Sequence, residues 1–79
     1  MKKTFKNLQS FKAEMKDIGI RTKIVDDIII LFPTSKYAKK YCGGDTDCAV
    51  EDLKTWYGLI GRIKSDGTVE TFVGEEEND

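Results

Sequence analysis

Residues 20–33, IRTKIVDDIIILFP, decide the fold. Two runs rich in β-branched and apolar residues flank an aspartate pair, and Asp tolerates the positive φ that a tight hairpin turn demands. With Val25 and Ile28 flanking that turn, side chains alternate along the strands. Ile20, Thr22, Ile24, Ile29 and Leu31 share one face, and Arg21, Lys23, Val25, Ile28, Ile30 and Phe32 share the other. The first face is core. The second mixes cations with large apolar groups, so the strand is either covered on both sides or presents a patch that wants a partner. That partner includes a second copy of the chain, meeting Ile28, Ile30 and Phe32. Pro33 closes the strand because it cannot donate to a ladder.

Upstream, Phe5, Leu8, Phe11, Met15 and Ile18 recur at steps of three and four, which lines one face of a helix. The spacing predicts a helix over 4–17, with Thr4 as its cap and Gly19 in the left-handed position past its end. Lys2, Lys3 and Lys6 then sit at the positive pole of that helix and Asp17 at the negative pole, each slightly unfavourable.

Downstream, Ser35 offers a cap to KYAKKYC, whose stripe of Tyr37, Ala38, Tyr41 and Cys42 is stopped by Gly43-Gly44. Asp45-Thr46-Asp47 caps CAVEDLKTW, where Ala49, Val50, Leu53 and Trp56 repeat at helical spacing up to about Gly58. In LIGRIKSDGTVETFV, Ser65-Asp66-Gly67 fits a turn with a glycine bulge, opposing Lys64 to Thr68, Ile63 to Val69, Arg62 to Glu70 and Ile60 to Phe72. Arg62 and Glu70 are expected to pair across the strands, with Leu59, Ile63, Val69 and Val73 pointing to the core. Gly58 and Gly61 mark a bend or a close neighbour.

The expected fold is therefore α+β, in the order α-β-β-α-α-β-β: an N-terminal amphipathic helix packed on a small antiparallel sheet of two hairpins, which two short helices link. One globular domain is expected over 1–74 and a disordered acidic tail over 75–79.

The 79 residues stand near the lower limit for a single apolar core. No long apolar run and no leader-like pattern occurs, so a cytoplasmic protein away from membranes is expected. Residues 1–40 carry a net charge of +6 and residues 41–79 a net charge of −7, a polarity that bears on association rather than fold.

Residues 42–52, CGGDTDCAVED, are the segment that most resembles a chemical site. A calcium loop begun at Asp45 would place Val50 where glycine is needed and Trp56 where a glutamate is needed, so the motif fails. Zinc needs four ligands, and only two thiols and no histidine exist. Cys42 and Cys48 read as two thiols in a reducing compartment rather than as a disulfide. A glycine stop followed by an aspartate start accounts for the segment, and no catalytic residue, metal or cofactor is expected.

The leading functional reading is a non-catalytic protein-binding module, adaptor or inhibitor, which sets Glu51, Asp52, Trp56, Tyr57, Glu75, Glu76 and Glu77 against a basic partner that is itself able to bind nucleic acid. Trp and Tyr are favoured interface anchors, although a lone Trp at a helix end in so small a domain more often belongs to the core. The alternative is nucleic-acid binding through Lys2, Lys3, Lys6, Lys12, Lys16, Lys36, Lys39 and Lys40, where KYAKKY interleaves cations with rings. A winged helix-turn-helix docking is disfavoured, because Asp47, Glu51 and Asp52 would repel phosphate.

Overall fold

The central hairpin forms in the register its alternation dictates, with Val25 opposite Ile28 and Ile20 opposite Pro33. Asp26 takes φ 58° at the turn. The computed structural model describes residues 2–73. Glu75, Glu76 and Glu77, in the expected tail, lie outside the described residues. The elements are β1 (Lys2–Phe5), α1 (Leu8–Ile18), β2 (Ile20–Val25), β3 (Ile28–Pro33), α2 (Ser35–Cys42), α3 (Thr46–Trp56), β4 (Ile60–Ile63) and β5 (Val69–Phe72). All five strands form one antiparallel sheet in the order β1-β5-β4-β3-β2.

The α+β class and the order of the later elements follow the expectation, but the N-terminus does not. Residues 2–5 form a strand on β5, with Lys3 opposite Thr71 and Phe5 opposite Val69. The helix begins after Asn7, whose side chain accepts from the Ser10 N–H at 2.8 Å. Phe5 keeps its place beside Phe11, ring centroids 4.9 Å apart and edge to face, but reaches it from the strand. The physical reason is β5, whose outer edge would otherwise offer unpaired backbone groups. Lys2 and Lys3 are consequently not at the helix pole, and the expected conflict with the dipole shrinks to Lys6 at one end and Asp17 at the other.

Gly19 ends α1 at φ 100°, its N–H reaching the carbonyls of Lys16 and Met15. Thr34 rather than Ser35 is the capping position of α2, and its hydroxyl donates instead to the Gly19 carbonyl. Asp45 caps α3 by accepting from the Asp47 and Cys48 N–H groups. In the last hairpin Arg62 stands opposite Glu70 and Ile63 opposite Val69. The expected Arg62–Glu70 ion pair is replaced by two others: Lys2 meets Glu70 at 3.8 Å from the neighbouring β1, and Asp27 meets Arg62 at 3.9 Å from the β2–β3 turn.

The core lies between one face of the sheet and the helices. Phe11 and Met15 of α1, Tyr37 of α2 and Leu53 of α3 cluster with Ile20, Ile29, Leu31 and Val69. Leu59 and Ile63 are only partly buried against this cluster, and Val73 is buried. Burial falls away along β2 toward its turn, leaving Ile24 exposed although it points to the helix side. Among the described residues no helix is long and apolar enough to cross a membrane.

Candidate binding site

Tyr37 and Tyr41 lie one turn apart on α2, and Asp52 and Trp56 lie one turn apart on α3, so each pair faces one side of its helix. The two helices pack together and close this geometry. The Tyr37 hydroxyl donates to Asp52 Oδ2 at 2.8 Å, and the Tyr37 and Tyr41 ring centroids are 4.8 Å apart. Tyr57 follows directly, held by its N–H on the Leu53 carbonyl at 2.8 Å, with its ring edge-on to Tyr37 at 6.4 Å. From the sheet side Lys3 of β1 places its ammonium 4.6 Å from the centroid of the Tyr57 ring. The result is a concavity of about 300 Å³ lined by Lys3, Tyr37, Tyr41, Asp52, Trp56 and Tyr57.

Three of the residues expected to bind a protein, Asp52, Trp56 and Tyr57, are thus brought together, while Glu51 is exposed on α3 and does not line the concavity. Trp56 corrects the expectation of a core tryptophan, since it is 61% exposed, the most exposed large apolar side chain among the described residues. Tyr41 corrects another. It shares the buried stripe with Tyr37 by spacing, yet it is 45% exposed while Tyr37 is fully buried. Tyr37 is therefore the floor, and Tyr41 and Trp56 are the rim. Lys3 and Tyr41 had no place in the expected protein site. Pairing of β1 to β5 was the missing signal for the first, and for the second the i, i+4 relation to Tyr37 pointed to the core instead.

Burial foremost, then the hydrogen bond to Asp52 and its charge, push the Tyr37 hydroxyl far above the ordinary phenol range, so it is a permanent donor. Burial, with smaller contributions from Tyr41, Glu14 and Asp52, also raises Tyr57. Next to this site Cys42 and Cys48 are free thiols. A hydrogen bond with Cys48 leads burial and the nearby charges in pushing Cys42 up to about 11, which keeps it a neutral thiol at physiological pH. Among the described residues no group of three or more Cys, Asp or Glu is placed to hold a metal ion.

The alternative set of lysines is spread over β1, the β1–α1 connection, α1 and α2. Lys2 engages Glu70, Lys3 lies over Tyr57 and Lys40 lies 5.5 Å from the Tyr41 ring. The opposite charges sorted along the chain are interleaved in space. Basic β1 lies on β5, and lysine-bearing α2 packs on acidic α3. Among the described residues the polarity read from the sequence does not become two faces.

The sheet face away from the helices is the second exposed surface. Val25, Ile28, Phe32 and Ile60 are exposed there, beside Arg21, Lys23 and Arg62. Of the two outcomes open for the second face of β3, the exposed patch is the one realised. Comparison with protein-family models, curated proteins and solved structures found no match to this chain.

Proposed function

We propose that this chain is a small non-catalytic protein-binding module, of adaptor or inhibitor type, that engages a basic protein partner at the aromatic concavity between α2 and α3. The observation that supports this reading is Trp56, held exposed at the rim with Tyr41 while Tyr37 and Asp52 form the floor. Burying a Trp is one of the largest apolar gains open to a domain of this size. Leaving it in solvent suits a side chain that is buried only when a partner arrives. Asp52 in the concavity, Glu51 on the same helix and the acidic residues 75–77 supply the charge that a basic partner would complement. Two free thiols suit a reducing compartment such as the cytoplasm.

Nucleic-acid binding is the second reading, favoured by Lys40 and Lys3 standing beside Tyr41 and Tyr57. Capture from a lysate of the native host with the wild-type chain and with Trp56→Ala, each with and without nuclease, separates the two. The expected result is a protein retained by the wild type, lost by Trp56→Ala and indifferent to nuclease. Retention that nuclease abolishes transfers the function to the lysines, and retention indifferent to Trp56→Ala removes the concavity from the site.

A further inference from the structure

We propose that the concavity recognises a cationic head group, the lysine or arginine side chain of a partner protein, and that Lys3 is the internal stand-in this ligand displaces. The inference rests on the protein-binding reading and names the ligand of the same site. Aromatic faces carry negative potential and attract ammonium and guanidinium groups placed over them. Two of the rings already hold such a group: the Lys3 ammonium is 4.6 Å from the Tyr57 centroid, and the Lys40 ammonium is 5.5 Å from that of Tyr41. Asp52 completes the arrangement. Its carboxylate accepts from the Tyr37 hydroxyl, and a carboxylate has lone pairs beyond the one such a bond occupies.

Charge decides between ligand classes. An anion entering the concavity would be drawn by the Lys3 ammonium alone, against the ring faces and the Asp52 carboxylate that line the rest of it, both repulsive. A neutral apolar group would leave Asp52 with no added partner and would still have to move Lys3. An incoming cation that replaces Lys3 keeps the charge of the site unchanged. Lys3 can leave, because it is an exposed residue on an edge strand with a flexible four-carbon stem, and its backbone pairing with Thr71 does not depend on where its ammonium lies.

Trp56 is the only tryptophan, so its emission reports the site directly. The probe is choline, titrated at constant ionic strength against its neutral isostere 3,3-dimethylbutan-1-ol. Choline is expected to shift the emission at concentrations about tenfold below those at which the alcohol does, the size of effect a partly desolvated cation–π contact provides. Lys3→Met, which empties the Tyr57 face and keeps the stem, is expected to tighten choline binding by about tenfold. Tyr57→Leu is expected to abolish it. If Tyr57→Leu proves misfolded by circular dichroism, Tyr41→Leu at the exposed rim takes its place, with a clear weakening expected. Equal binding of choline and the alcohol, or a Lys3→Met variant that binds choline no better than the wild type, overturns the inference. Failure of choline together with Trp56-dependent capture of a partner overturns this inference alone and leaves the protein-binding reading in place.

Discussion

Ile28 and Ile29 are chemically identical neighbours on β3, yet Ile29 is fully buried and Ile28 is 39% exposed. The difference is only the side of the sheet on which each falls, because the pleat sends successive side chains to opposite faces. On the covered face Ile29 and Leu31 meet α3 and the other helices. On the open face Ile28, Phe32 and Ile60 stay partly in water. Apolar composition therefore does not separate the side chains that hold this fold from those that are surplus to it; position relative to the helices does. The stabilisation of the domain rests on the covered face, and the apolar groups of the open face are available for something other than folding.

That comparison breaks first at Ile29. Ile29→Ala should lower stability by about 2–5 kcal/mol, the range for emptying a packed site, whereas Ile28→Ala should cost less than about 1 kcal/mol because much of its side chain is already in water. Urea unfolding of the two variants checks it, and equal losses would mean the open face is covered in solution. Next comes Gly61, which lies between Ile29 and Thr71 on the covered side. A methyl group there would stand 2.9 Å from the Glu70 carbonyl oxygen and 3.0 Å from Thr71 Cγ2. Gly61→Ala should therefore cost about 1–3 kcal/mol through overpacking, despite the gain in strand propensity. Thr71 sharpens the comparison in the other direction. Its hydroxyl is buried with no hydrogen-bond partner among the described residues. Replacing a buried unpaired hydroxyl by a methyl group of the same shape removes a desolvation cost, so Thr71→Val should stabilise by about 1 kcal/mol and raise Tm by roughly 4–8 °C in calorimetry. A lower Tm would show that the hydroxyl has a partner.

The division into faces was readable from the sequence because strand alternation is local. Val25-Asp26-Asp27-Ile28 set the register of one hairpin and Ser65-Asp66-Gly67 that of the other, and each needed only its own neighbours. The first strand was not readable for the opposite reason. Phe5 stands three residues before Leu8 and so continues the helical period backward, while the force that makes residues 2–5 a strand is the edge of β5 some sixty-odd positions away. Asn7 was the local clue, a good capping residue directly before Leu8. The site shows the same limit. Asp52, Trp56 and Tyr57 were found because their types suggest an interface, but Lys3 enters only once β1 is paired. Spacing alone likewise assigned Tyr41 to the same buried stripe as Tyr37. Among the described residues, charge sorted along the chain failed to become charge sorted in space because β1 and β5, far apart in sequence, are neighbours in the sheet.

Phe32 tests what the open face is for. Phe32 is 41% exposed and opposite Arg21, with Lys23 opposite Ile30 one step along the same face. Phe32→Ser should lower the unfolding free energy by about 1–2 kcal/mol, because only the covered part of the ring loses an apolar environment. Self-association through Ile28, Ile30 and Phe32 would bring the Arg21 and Lys23 side chains of two copies toward each other, and like charges at such a contact oppose it until salt screens them. Sedimentation of the wild type should therefore give a monomer at low salt and a larger mass only as salt rises, with Phe32→Ser monomeric throughout. A mass that falls as salt rises would instead mean that opposite charges hold the copies together. The acidic α3 surface of one copy would then be seated on the cations of the other, and the apolar side chains between those cations would be secondary to the contact.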